Sequence, residues 1–226
     1  MEPVVLSLGG SVLVDSEDSS GFIKAVAAVL LDVSRNRKVY VVTGGGKVAR
    51  FYIRNGRALG AGERTLDELG IAVTRLNARL LILALGARAC PRVPVDYDEA
   101  AREGKEHEIV VMGGVSPGIT TDAVSALLAK KVGAKLLVNA TSVDGAYTAD
   151  PKKDPKAKKI PKMTHAELLR LVGTDPLGAG PNVVFDPTGA KVLADEKITL
   201  AVVEGRNLSN LRDALEGREF SGTEVR

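Results

Sequence analysis

The residue types that could do chemistry gather first around Asp122. It follows two hydroxyls, Thr120 and Thr121, and a stretch of small residues, Gly113, Gly114, Val115, Ser116, Pro117, Gly118 and Ile119. Val110, Val111 and Met112 before this stretch read as a buried strand; Val124, Leu127, Leu128 and Val132 after it recur at helical spacing. The carboxylate and the hydroxyls therefore fall at a helix start, where unpaired N–H groups and the positive end of the dipole favour a phosphate. Taken alone, the stretch would serve equally as an ordinary N-cap and loop. Cations are the second requirement of phosphate chemistry, and Lys47, Arg50 and Lys191 are the candidates. Two more glycine turns, Gly9-Gly10-Ser11 and Gly44-Gly45-Gly46, supply backbone donors that can approach an anion closely because no Cβ intervenes. Phosphoryl transfer asks mainly for positioning and charge neutralisation, and donors, cations and one organising carboxylate meet that need.

Other chemistries fit less well. The two histidines, His107 and His165, lie in polar stretches with no evident nucleophile beside them, which argues against Ser–His catalysis. A single cysteine, Cys90, excludes a disulfide framework and a cysteine-rich metal site, and its expected role is packing. No metal centre built from His and Cys is expected. Neither GxxxxGK[ST] nor GxGxxG occurs. The net charge of +3 comes from interspersed signs, Trp is absent and only 4% of residues are aromatic, so no nucleic-acid partner is expected. No apolar run approaches the roughly 20 residues of a bilayer span, and no charged leader precedes an apolar stretch; the expectation is a cytoplasmic protein without a membrane partner.

Elements must then bring these residues together. Residues 4–8 and 39–42 are short apolar runs, each ending at a glycine turn and each followed by a helical pattern, at 22–33 and through Val48, Phe51, Tyr52 and Leu59. A long helix is predicted over 65–87, with Leu66, Leu69, Val73, Leu76, Leu80, Leu81 and Leu83 as its apolar side, Gly70 inside it, and Asp67 and Arg75 turned to solvent. Further strands are predicted at 93–95, 109–112, 136–138 and 198–203, with Val225 in a short edge strand. Residues 96–106 read as charged surface and 178–182 as loop; helices are predicted at 164–172, with a Thr164/Glu167 capping box, from Ala190, and at 208–215. Asp144-Gly145 signals a turn, and Pro151, Pro155 and Pro161 keep a stretch with six lysines between 152 and 162 from forming one helix, giving an extended basic flap. Alternating β and α with near-continuous apolar strands predicts an α/β fold, a three-layer αβα sandwich around a mainly parallel sheet. A chain of 226 residues, 45% apolar, suffices for one such domain, with lobes meeting near residue 130. Ligands of parallel sheets bind beyond the carboxyl ends of the strands, so the three glycine turns should converge on one edge.

The motifs LSLGGSV (6–12), VVTGGGKVAR (41–50), GGVSPGITTDAVSALLA (113–129), NATSVDGAYTADPKKDP (139–155), DPTGAK (186–191) and SGTEV (221–225) resemble, in order and over essentially the whole chain, the amino acid kinase superfamily, and within it the archaeal-type uridylate (UMP) kinases. The resemblance implies transfer of the γ-phosphoryl group of MgATP to UMP, in pyrimidine nucleotide biosynthesis, by a homo-oligomer, commonly a hexamer. Carried over by position, it implies UMP contacts at Gly45, Asp67 and Val115 through Thr121. It places Gly9, Gly10, Ser11, Gly46 and Arg50 at the ATP phosphates and Thr141, Tyr147 and Asp150 around adenine and ribose. Asp122 would orient catalytic lysines and Lys191 would lie near the transferred group. One departure stands out: many superfamily members carry a lysine two residues before the first glycine pair, and this chain has Ser7. Lys47 is the candidate to compensate. Isopentenyl phosphate kinases share the glycine pattern but place a histidine near it, which this chain lacks; a nucleotide-sensing module without turnover is the other alternative.

Overall fold

The computed structural model describes residues 1–15, 18–149, 154–173 and 184–226. Five strands form its parallel body: β1 (Pro3–Leu8), β2 (Lys38–Thr43), β3 (Ile109–Met112), β4 (Leu136–Thr141) and, much later in the chain, Thr199–Glu204. Between β4 and that strand run β5 (Ala146–Tyr147), which pairs antiparallel with β6 (Lys159–Ile160), and β7 (Lys162–Met163); Thr199–Glu204 is thus β8, and β9 is Thr223–Val225. The seven-stranded sheet runs β3-β2-β1-β4-β8-β9-β7. β9 is antiparallel to β8, and it lies inside the sheet with β7 outside it, so the edge expected at Val225 belongs instead to Lys162–Met163. The two-residue β7 carries no apolar alternation that sequence could register.

Strand alternation sorts the two faces. Val4, Leu6 and Leu8 of β1 enter one core, under α2 (Ser20–Val33), α4 (Glu63–Leu85) and α9 (Leu208–Glu216). Val5 enters the other, under α5 (Tyr97–Glu106), α6 (Thr121–Val132), α7 (His165–Val172) and α8 (Pro187–Glu196). Ser7 has the parity of Val5, so its hydroxyl faces the α6 layer. A four-residue turn of helix, α1 (Gly10–Leu13), follows β1, and α3 (Gly46–Ala58) follows β2.

Local chemistry sets the helix ends. Thr120 caps α6 by accepting from the Ala123 N–H, and Gly133 ends it at φ 71°. Asp186 caps α8 with Pro187 in the first turn, and the Thr164/Glu167 capping box opens α7 as predicted. Residues 96–106 lie at the surface, where Tyr97–Glu106 form helix α5; its buried side carries only Ala100 and Gly104, too thin an apolar stripe to read as a helix. Residues 93–95 form no strand: Pro91 and Pro94 deprive that segment of ladder donors.

The apolar stripes of α3 and α4 differ from expectation. α4 buries Leu66, Val73, Ala78, Leu81, Ile82 and Leu85, while Leu76, Leu80 and Leu83 are exposed. α3 lies on α4 through its small residues Ala49 and Gly56, leaving Val48, Phe51, Tyr52 and Leu59 outward. Gly56 marks this close approach, since a Cβ there would stand 2.9 Å from Leu66 Cδ2 and Leu69 Cδ1, whereas Gly70 has room for one in ordinary contact with Ile53. By length and composition alone α4 and its extension to Arg88 could cross a bilayer, contrary to the reading of the apolar runs; here it is a helix packed on the sheet, with part of one side bare.

Candidate active site

Parallel registry brings the strand ends together. Leu8 stands opposite Thr43 and Ala140, Val42 opposite Met112, and Thr141 opposite Glu204. Gly9, Gly44 and Gly113 therefore leave the sheet along one edge, as expected. Strand order reverses between β1 and β4, so the crevice opens there, and Gly9 closes its floor by donating its N–H to the Ala140 carbonyl at 2.9 Å.

The first two glycine turns touch. A Cβ on Gly10 would fall inside 3.0 Å of the Gly44 carbonyl oxygen and the Gly46 nitrogen, and Gly46 itself has φ +61°. Arg50, one turn into α3, donates to Ser11 Oγ at 3.0 Å and links the same two segments. Ser11, Gly46 and Arg50, assigned together from sequence, are thus brought together. Lys47 is exposed, makes no hydrogen bond or ion pair among the described residues, and lines a groove with Arg50, Phe51, Arg54 and Arg57.

The third turn hangs from α4. Gly114 N–H donates to Thr74 Oγ1 at 2.7 Å, Gly118 N–H donates to Asp67 Oδ2 at 2.7 Å, and Arg75 Nε donates to the Gly114 carbonyl at 3.1 Å. Asp67 and Arg75 thus turn to the loop rather than to open solvent. The same helix holds the second turn: Asn77 Nδ2 donates to the Gly44 carbonyl at 2.8 Å. Thr74 and Asn77, both buried, escaped the sequence reading; their signal is a pair of polar residues three apart on the core side of an otherwise apolar helix. Ser116, Pro117, Ile119 and the N-cap Thr120 complete a loop whose outer part faces solvent, and Thr121 opens α6.

At the head of α6, Ser7 Oγ donates to Asp122 Oδ1 at 2.9 Å. This is the structural consequence of serine in the lysine position: the carboxylate gains a hydrogen bond but no charge. Burial pushes the Asp122 carboxyl up to about 6, the serine hydrogen bond opposes that shift, and the neighbouring Asp186 carboxylate adds to it. Asp122 retains some solvent contact on one side, but the surrounding protein, not that opening, governs its ionisation. α8 abuts this point, since a Cβ on Gly189 would lie 3.3 Å from the Asp122 carbonyl oxygen. Lys191 sits half a turn further along and pairs with Asp195 at 3.1 Å on the exposed side of α8, not with Asp122.

On the other side of the crevice, the Gly205 N–H donates to the Thr141 carbonyl at 2.8 Å. Tyr147 O–H donates to Asp144 Oδ1 at 2.7 Å and Lys159 Nζ to Oδ2 at 3.0 Å. The tyrosine hydrogen bond, helped by the lysine, holds the Asp144 carboxyl below its usual range and raises the phenol of Tyr147. The buried Thr223 hydroxyl accepts from the Ala146 N–H and donates to the Ile160 carbonyl, pinning the β5–β6 hairpin to β9. Asp144, first read only as a turn residue, is therefore the hub of this segment. Asp150, part of the basic flap, and the loop at 178–182 lie outside the described residues.

A parallel αβα sandwich with three glycine turns at one edge and a helix-start carboxylate beside them defines a phosphate-handling α/β enzyme. Residues 2–204 match the model of the amino acid kinase family, and the chain belongs to that family. It is 50% identical over 223 residues to the uridylate kinase of Methanothrix thermoacetophila, covering 99% of each chain. Against the uridylate kinase of Methanoculleus marisnigri it is 50% identical over 225 residues, covering all of this chain and 96% of the relative. The crystal structure of the uridylate kinase from Archaeoglobus fulgidus superposes with a TM-score of 0.90 at 45% identity, covering all of both chains. The UMP kinase of Bacillus anthracis, at 22% identity and a TM-score of 0.82, shares the fold.

Proposed function

We propose that this protein is a uridylate kinase that transfers the γ-phosphoryl group of ATP to UMP, giving ADP and UDP. The observation that carries the reading is the gathering of three glycine turns on one sheet edge, with Asp122 held by Ser7 of the strand that feeds the first of them, in a chain 50% identical end to end to uridylate kinases. UMP lies on the β1–β2–β3 side, against Gly45, Asp67 and residues 115–121, and ATP on the β4–β8 side, along Thr141 and Tyr147. The lobes accordingly meet near residue 130. Turn N–H groups and Arg50 hold phosphate oxygens, and the hydroxyls of Thr120 and Thr121 face the acceptor phosphate. Mg2+ arrives as part of MgATP, bound chiefly by phosphate oxygens. The Asp122 carboxyl, short of positive charge in the free protein, meets a lysine ammonium or the nucleotide-borne ion in the complex. The place of this reaction is the cytoplasmic synthesis of pyrimidine nucleotides. A coupled ADP assay with UMP, CMP, AMP, isopentenyl phosphate and amino acids as acceptors tests the reading. Turnover is expected with UMP above all; turnover confined to isopentenyl phosphate, or absent with every acceptor, overturns it.

Lys47 supplies the cation that Ser7 does not. Lys47→Ala is expected to lower kcat by about 10²-fold, the scale of removing one preorganised donor to transition-state charge. Wild-type turnover in Lys47→Ala beside an inactive Lys191→Ala would assign the role to Lys191 alone.

The protein assembles with copies of itself, as a hexamer, through the apolar surface of α3 and α4. Phe51, Leu76 and Leu83 are 53%, 63% and 72% exposed, more than scattered surface residues require. Sedimentation equilibrium should give a mass several times the 23.7 kDa chain, and Leu76→Glu with Leu83→Glu should lower it. A monomeric wild type refutes the assembly.

A further inference from the structure

Away from the phosphate edge, the fold gathers three side chains that sequence spacing kept apart. Cys90 leaves the 3-10 turn that follows α4 and is anchored to the start of β3, its N–H donating to the Ile109 carbonyl at 2.9 Å. Glu103 lies in the last turns of α5, and His107, four residues on, is the extended residue that caps the helix C-terminus. Cys90 Sγ stands 3.3 Å from Glu103 Oε2, and His107 Nε2 stands 3.5 Å from that same oxygen. All three ligand atoms fall within 4.8 Å of one another.

Two of these separations lie near the edges of a coordination tetrahedron, and the third, Sγ to Nε2, is bounded at 4.8 Å. Zinc bonds of about 2.3 Å to sulfur, about 2.05 Å to imidazole and about 2.0 Å to carboxylate, opened to the tetrahedral angle, give edges of about 3.5 Å from sulfur to oxygen and about 3.3 Å from nitrogen to oxygen. The observed pair matches each to within a few tenths of an ångström. Arg92 pairs with the other carboxylate oxygen, Oε1, at 2.5 Å, so it orients Glu103 and leaves Oε2 to the shared face. That is how an outer partner steadies a ligating carboxylate. Cys90 is wholly buried, while the side chains of Glu103 and His107 are 13% and 28% exposed, so an ion would enter past the carboxylate and the imidazole.

We propose that Cys90, Glu103 and His107 form a binding site for a thiophilic divalent ion, of which zinc is the type, with water as the fourth ligand. The thiol proton, now directed at Glu103, leaves to solvent as the metal–sulfur bond forms. One thiolate and one carboxylate balance the ion's charge. The site joins α5 to the start of β3, the far end of the strand from Gly113, so it braces the fold and takes no part in phosphoryl transfer.

The test uses the full chain, stripped with a chelator and titrated with Co2+. Expected are one equivalent of tetrahedral cobalt with visible d–d bands and a near-ultraviolet sulfur-to-cobalt charge-transfer band, all displaced by Zn2+. Cys90→Ser should abolish the charge-transfer band. His107→Gln should weaken binding by at least about 10-fold, since even outer partners of a site matter on that scale. Zinc at 100 times its dissociation constant should raise the melting temperature by about 5–10 °C, and by less in His107→Gln. Cobalt bound without the sulfur band, as at the Asp122 and Asp186 carboxylates, overturns the proposal, as does a band that survives Cys90→Ser or the absence of binding at millimolar metal. Should Cys90→Ser fail to fold, the cobalt spectrum of the wild type and the affinity of His107→Gln decide the matter.

Discussion

Gly10→Ala is expected to lower turnover by about 10²-fold or more. The new methyl group meets the Gly44 carbonyl and the Gly46 nitrogen, both backbone atoms that cannot rotate away. The first two glycine turns must then part, and a displacement of about 1 Å in a positioning element is enough for a loss of that size. Overpacking also costs about 1–3 kcal/mol, or roughly 2–12 °C in melting temperature for a chain of this length. Gly21→Ala is the matched control, because nothing stands within 4 Å of a Cβ there. Steady-state kinetics and thermal unfolding of both variants check the claim. Wild-type kinetics in Gly10→Ala would mean that the two turns do not touch in the working enzyme.

Asp122→Asn is expected to do two opposite things: reduce kcat by about 10²–10³-fold, on the scale of losing one preorganised electrostatic group, and stabilise the free protein at alkaline pH. The carboxyl is raised from 3.8 to about 6 in the folded chain, so the folded state holds a proton that the unfolded state has released. Stability from this group falls as pH rises from about 4 to about 6 and stays low above that. A gap of roughly two units corresponds to as much as about 3 kcal/mol. The asparagine variant has no such slope. Its melting temperature should match wild type near pH 4 and exceed it by up to about 10 °C at pH 8. A variant less stable than wild type at pH 8 would show that Asp122 already has a cationic partner in the free protein.

Much of this was legible beforehand, for identifiable reasons. Val4–Leu8 and Val39–Val42 are continuous apolar runs that stop at glycine, and two buried faces produce just that pattern. Parallel pairing then places their ends on one edge. Ser7 was recognised as a departure, but its bond to Asp122 depends on which face residue 7 takes and on where α6 begins, both set by tertiary packing. The polar supports, Thr74 and Asn77, were hidden because a helix pattern averages over single positions. Leu76, Leu80 and Leu83 share the helical spacing of the apolar side yet are exposed, because apolar spacing alone does not say which residues the sheet covers. Cys90, Glu103 and His107 come from a turn and a helix with no shared motif, and only the packing of α5 beside β3 joins them.

The contacts of α4 carry one more implication. Asp67, Thr74, Arg75 and Asn77 all grip the second and third glycine turns, and all belong to one continuous rod. The opposite hairpin is fastened elsewhere, through Thr223 of β9. The two halves of the crevice thus hang from separate supports. Loosening one leaves the other's hydrogen bonds intact, so each side opens with its own free energy. ADP and UDP can then depart in either order, and product-inhibition patterns should carry the signature of random rather than compulsory release.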